Sequence, residues 1–145
     1  MSKIKVGFLR LYIKLYDDAG VDRSDMQNCM DTAVSMLESE DIEVIASDVC
    51  RIKPEFDAAA AAFNEADVDA VITYHFAYSP SLESIDALCS LKAPVIVCDT
   101  TPTYNMSERM DSDDITANHG IHGVMDMCNL LKRKGVTYFV EAGHI

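Results

Sequence analysis

The chain is expected to fold as an α/β protein, a three-layer α/β/α sandwich around a five-stranded parallel sheet. Three observations predict this. Five short apolar runs recur along the 145 residues, each nearly continuous rather than alternating, as in strands covered on both faces. Between them lie four stretches with apolar residues at helical spacing. The two patterns alternate, which is the order a parallel sheet with crossover helices requires. With 49% hydrophobic and 25% charged residues, residues 1–145 form one domain long enough to bury a core.

Ile4, Val6, Phe8 and Leu9 mark the first strand, over 4–9. Residues 10–16 continue it into an apolar loop, which Asp17, Asp18 and Gly20 interrupt. From Ser24 onward Met26, Met30, Ala33, Val34 and Leu37 recur at helical spacing, with Glu38 and Glu40 opposite. The second strand covers 42–46. Pro54 suits the first turn of the next helix, where its missing N–H goes unneeded, and Phe56, Ala59, Ala60 and Phe63 supply that helix's apolar face. Residues 70–74 form the third strand and run into His75, Phe76, Ala77 and Tyr78. Ser79 is placed to cap a helix that begins at Pro80 and turns Leu82, Ile85, Leu88 and Cys89 inward.

The fourth strand covers 94–98. Residues 99–117 then form a loop long enough to suspect a functional or mobile segment. The last helix opens at Asn118 and is expected to bury Ile121, Val124, Met125, Cys128 and Leu131. Lys132, Arg133 and Lys134 offset its C-terminal dipole, and Gly135 suits the residue just past its end. Residues 136–140 are the fifth strand. Right-handed crossovers lead to the flavodoxin-like (Rossmann-like) strand order 2-1-3-4-5.

Twelve basic against 24 acidic side chains give a net charge of −12. That field repels nucleic acid and anionic membrane surfaces, so neither is an expected partner. No apolar stretch approaches the roughly 20 residues that span a bilayer, and with a strand pattern starting at Ile4 a signal peptide is not expected. Cys29, Cys50, Cys89, Cys98 and Cys128 form no CxxC pair and lie in apolar segments. They read as reduced thiols of a cytoplasmic protein.

In open α/β sheets ligands sit beyond the carboxyl ends of the strands. The groups delivered there are Arg10 and Tyr12, His75 and Tyr78, Asp99 and Thr100, and Asn118 with His119. A phosphate cradle would need a glycine-rich or Walker-type turn after the first strand, and residues 10–14 offer neither. Receiver and cobalamin-binding patterns are also missing. The segment Asn118-His119-Gly120-Ile121-His122-Gly123 sets two histidines three apart at a helix N-terminus, where free N–H groups and the dipole favour a polar or anionic ligand. Alternatively, His119 helps cap the helix and His122 is partly buried. His119 and His122 with Asp126 offer too few ligands for a metal held by this chain alone. Cys98 and Cys128 lie inside apolar patterns and are not expected to be nucleophiles. Arg10 has a surface acid as its alternative partner. Tyr12, Tyr16 and Phe76 have packing as theirs, although aromatics with a polar tip suit sugar faces.

Several segments together resemble the N-terminal domain of the L-fucose isomerase family. They are Val6-Gly7-Phe8-Leu9-Arg10, Val68-Asp69-Ala70-Val71-Ile72, Ser79-Pro80-Ser81, Ala93-Pro94-Val95-Ile96 and, above all, Ala117-Asn118-His119-Gly120-Ile121-His122-Gly123-Val124-Met125-Asp126. The L-arabinose isomerases share the fold and a similar His-Gly segment. The likeness runs to Ala142-Gly143-His144. It implies an aldose–ketose isomerase working through an enediol with a divalent metal, usually manganese, which a hydroxy-carbonyl unit chelates while paired carboxylates move a proton.

In that family the metal ligands lie in later domains. This chain alone is therefore expected to hold no cofactor or metal, carry no catalytic residue and turn over no sugar. It would line the substrate pocket of a neighbouring subunit in a homo-oligomer. By position Arg10, the loop from His75 to Tyr78 and His119 would contribute, His119 foremost, and the convergence at the strand ends adds Tyr12 and Asn118. The family places an aromatic side chain near the third-strand loop. This sequence has no tryptophan, so His75, Phe76 or Tyr78 would serve. A second expectation, from another class, is a stand-alone, non-catalytic module that binds a sugar, a polyol or a protein partner. A third is a structural role in which the apolar segment 9–16 forms an oligomer interface.

Overall fold

A computed structural model describes residues 3–105 and 107–144. The elements run β1 (Ile4–Leu11), α1 (Lys14–Asp18), α2 (Ser24–Leu37), β2 (Ile42–Cys50), α3 (Lys53–Ala66), β3 (Ala70–His75), α4 (Ser81–Ser90), β4 (Val95–Thr100), α5 (Ser112–Ala117), α6 (Gly120–Lys134) and β5 (Tyr138–Gly143). The strands form one parallel sheet in the order β2-β1-β3-β4-β5. This is the flavodoxin-like α/β/α arrangement that the alternating pattern predicts.

Neighbouring residues of a strand enter different cores because their side chains point to opposite faces. Leu9, Val71, Val95 and Val97 pack under α3, α4 and α6, against Phe56, Phe63, Ile85, Leu88, Met127 and Leu131. On the other face Phe8 and Tyr74 pack against Met26, Met30 and Ala33 of α2. Burying each of the Val, Leu, Ile, Phe and Met side chains contributes about 1.5–3 kcal/mol. No helix among the described residues is long and apolar enough to cross a membrane.

Several boundaries differ from the sequence reading. β1 continues to Leu11 and β2 to Cys50, past a register shift between Phe8 and Arg10. Ser47 fills that irregularity by accepting the Arg10 N–H at 3.1 Å, so pairing resumes instead of ending. The long segment 99–117 is not all loop. Asp99 and Thr100 finish β4, and α5 forms over its last six residues. Asp111 nucleates α5, its carboxylate accepting the N–H groups of Asp113 and Asp114 while Asp114 returns the bond to the Asp111 N–H. Ser79 does not cap α4. Pro80 keeps an extended ψ of 115°, so helical geometry begins only at Ser81. β5 is also displaced, from 136–140 to Tyr138–Gly143.

Side-chain facing differs most in α6. Its inward residues are Gly120, Gly123, Val124, Met127 and Leu131, whereas Ile121 and Met125 are exposed. The helix is turned by roughly one residue, about 100°, from the stripe its apolar residues alone define. The two glycines let its first turn lie against the loop after β3, which requires this rotation. On α4, Leu82 and Cys89 likewise face outward, while Ile85 and Leu88 are buried.

Candidate functional site

Three loops meet at the carboxyl end of the sheet. The loop after β3 is held by the Phe76 N–H, which donates to the Leu11 carbonyl at 2.6 Å. Its next residue, Ala77, has φ +109°, a conformation that costs a residue with a Cβ about 1–3 kcal/mol. This strained loop turns back beneath the first turn of α6. There His75 lies against two glycines. A Cβ built on Gly120 would stand 3.2 Å from the His75 Cβ, and one on Gly123 only 2.5 Å from Cδ2 and 2.8 Å from Nε2. The spacing of Gly120 and Gly123 thus leaves room for an imidazole where a helix would ordinarily carry side chains.

His75 is 5% exposed, and neither ring nitrogen has a hydrogen-bond partner among the described residues. Burial disfavours the charged ring and pushes its pKa down from 6.5 to about 3. His75 is therefore a neutral support beneath the helix and does not reach the surface.

On the outer side of the same turn, His119 occupies the N-cap position of α6 without a side-chain cap bond. Its ring centroid lies 6.0 Å from Tyr78 and 4.4 Å from His122, the latter edge-on at 73°. Tyr78 and His119 are half-buried, and His122 is exposed. The three rings form a row that presents apolar edges together with imidazole nitrogens and a phenol. Imidazole can donate or accept a hydrogen bond, so the row suits a neutral, hydroxyl-rich ligand.

The other sequence-predicted residues are engaged elsewhere. Arg10 donates to Asp31 of α2 at 2.9 Å. Tyr12 is fully buried, packed edge-on against Tyr16 and Phe76 with the Arg23 guanidinium 5.7 Å from its ring centre. Burial pushes its phenol up to about 12. Arg51 closes this side by bridging Asp17 of α1 and Glu55 of α3, each at 2.7 Å. Asp99 and Thr100 belong to β4, and the Thr100 hydroxyl is buried without a partner among the described residues.

Asn118 caps the C-terminus of α5 and fastens the preceding loop. Its amide oxygen accepts the Thr103 N–H at 3.2 Å, and its nitrogen donates to the Thr103 hydroxyl at 2.9 Å and the Asp114 carbonyl at 2.7 Å. Asn118→Ala is expected to cost about 1–3 kcal/mol and to speed amide exchange at Thr103, read by urea unfolding and hydrogen exchange. Unchanged exchange there would remove the clamp assignment.

Sequence reasoning paired His119 with His122 at the helix start and placed Tyr78 at a strand end, and the structure brings the three rings together. The signal for His122 was its spacing from His119, one helical turn on. Beneath them, the space between His75, Phe76, Pro102 and Ala117 is about 10 Å³, too small for any ligand. Two roomier cavities open at the same end, about 260 Å³ among Asp22, Asp25, Asp111 and Asp114 and about 380 Å³ among Ser47, Arg51 and Glu55. Neither is lined by Tyr78, His119 or His122, so the ring row itself meets a ligand at the surface. A larger cavity of about 650 Å³ opens among Asp86, Lys92, Lys134 and Thr137. It is at the amino end of β4 and β5, where ligands of open α/β sheets do not ordinarily sit.

Among the described residues no group of three or more His, Cys, Asp or Glu side chains is arranged to hold a metal. His119 and His122 alone supply too few ligands to hold a metal ion, and the resemblance puts the manganese ligands in other domains. Burial also pushes the thiols of Cys98 and Cys128 up, and Cys50 up to about 11, which keeps all three protonated and weakly nucleophilic. No family model matches this chain, and no curated protein sequence matches it.

Proposed function

We propose that this chain is the substrate-lining domain of an aldose–ketose isomerase of the L-fucose/L-arabinose type. Tyr78, His119 and His122 face the sugar, and a neighbouring subunit or domain completes the pocket. The observation that carries this reading is the row of three rings that Tyr78 of the loop after β3 forms with His119 and His122 at the start of α6, at the carboxyl end where such sheets bind ligands. Sugar C–H faces pack on rings, and sugar hydroxyls exchange hydrogen bonds with imidazoles and a phenol. In this reading manganese and the proton-moving carboxylates are supplied by other domains, so the domain contributes binding and orientation inside a cytoplasmic homo-oligomer.

The test is His119→Ala in the assembled isomerase, assayed on L-fucose and L-arabinose with manganese. kcat/KM is expected to fall about 100-fold, the scale of one lost transition-state contact, while the melting temperature stays within a few degrees. Wild-type turnover in that variant would end the proposal. A stand-alone binding module is favoured by a different observation, the structural engagement of Arg10, Tyr12, His75 and Asn118. It predicts saturable binding of a sugar or polyol by the isolated domain, with loss of that binding in His119→Ala.

A further inference from the structure

A parallel sheet needs cover on both faces, and here one face is covered over only part of its width. Side chains paired across parallel strands share a face, so Phe8, Ile72, Ile96 and Phe139 form one row from β1 to β5. Their burial falls along that row. Phe8 is 1% exposed beneath α2, Ile72 and Ile96 are half-buried, and Phe139 is 56% exposed. Beside α2 the bare strip opens into a trough of about 300 Å³ lined by Phe8, Ala33, Met36, Ile72, Ile96 and Glu141, among others. Met36, on the flank of α2, is 71% exposed.

The dimensions and chemistry of the trough select its occupant. Two strands are about 10 Å across, which is the diameter of one helix. A six-residue strand is about 20 Å long, the length of a helix of about 13 residues. Among the described residues that line it, Glu141 is the one acidic side chain and there is no lysine or arginine, and the whole chain bears −12. The occupant therefore has an apolar stripe flanked by lysine or arginine. A second copy of this chain fits poorly. It would bring a further net charge of −12 to the strip that holds Glu141, whereas a basic helix is attracted there.

We propose that the strip over β4 and β5 is a docking groove for one basic amphipathic helix of a partner protein. It lies on a sheet face, away from the ring row, and stands independently of the sugar reading.

The probe is a labelled peptide of leucine and lysine alone, about 14 residues long with leucines at helical spacing, titrated against the purified chain by fluorescence anisotropy. A saturable one-to-one complex is expected, with Phe139→Ser and Glu141→Lys each raising Kd about tenfold. Both positions are exposed, so the two variants keep the fold. A peptide of the same composition with alternating leucine and lysine is expected to show no saturable binding. Equal binding of both peptides would mean bulk charge attraction alone and would overturn the proposal, as would wild-type affinity in both variants. A dimer by light scattering without peptide, with Ile96 and Phe139 shielded in it, would assign the strip to a second copy. Protection of those residues within a monomer would assign it to the chain itself. Either result also overturns the proposal.

Discussion

Gly123→Ala is expected to destabilise the protein by about 2–3 kcal/mol, although alanine is the better helix former by about 1 kcal/mol. The added methyl would stand 2.5 Å from Cδ2 and 2.8 Å from Nε2 of His75, and 3.2 Å from the Ser79 backbone nitrogen. An imidazole is a rigid plane, and this one is enclosed. Retreat along α6 is limited by Gly120, whose own Cβ position lies 3.2 Å from the His75 Cβ and 3.3 Å from its carbonyl oxygen. Either the helix lifts off the loop or the ring leaves its rotamer.

The double variant Gly123→Ala with His75→Ala separates this clash from a general loss of packing. Truncating the ring vacates the space the methyl needs, so the combined loss falls short of the sum of the single losses by about 1 kcal/mol or more. Urea unfolding of the four proteins measures it. Additive losses, or a Gly123→Ala protein as stable as the parent, would show that the glycine is not there for the imidazole.

The second large effect is a pH dependence carried by the same ring. In the unfolded chain His75 titrates near 6.5, and in the folded protein near 3. Between those values the unfolded state holds a proton that the native state refuses. Stability from this group is therefore complete above about pH 6.5, falls as pH drops below it, and stops falling near pH 3. The slope is up to about 1.4 kcal/mol per pH unit, and the loss from pH 7 to pH 5 is about 2 kcal/mol. His75→Gln keeps a polar side chain that does not titrate. It is expected to be less stable than the parent at pH 7 through poorer packing, yet to lose about 2 kcal/mol less on going to pH 5. Other titrating groups are common to both proteins and cancel in the difference. Parallel stability curves would place His75 in contact with water or a counter-charge.

How far the site could be read from sequence depended on the kind of question asked. His119 and Tyr78 were legible because strand-end and helix-start positions follow from local patterns, and those positions face outward together. Arg10, Tyr12, His75 and Asn118 carry the same local credentials, yet they serve the architecture. Tyr12 is covered because Tyr16, Phe76 and Arg23 close over it, and Asn118 is used because Thr103 lies within its reach. Neither fact is local. α6 shows the same division. Its length, basic C-terminal turn and terminal Gly135 were readable, but its rotation was not. Apolar periodicity assigns the inward face to the largest side chains, whereas here the closest contact is made by the two smallest.

The sequence by itself determined the class and topology of this protein. Near-continuous apolar strands can be satisfied only by cover on both faces, and their alternation with helices permits one economical winding of a parallel sheet. Tertiary structure alone decided which polar residues are available to a ligand. Whether a histidine is a neutral buried support or a surface ring depends on what packs within a few ångströms of it. For His75 that neighbour is a glycine pair forty-five or more residues away in the chain, and for His119 it is Tyr78 and His122 on the solvent side of the same helical turn.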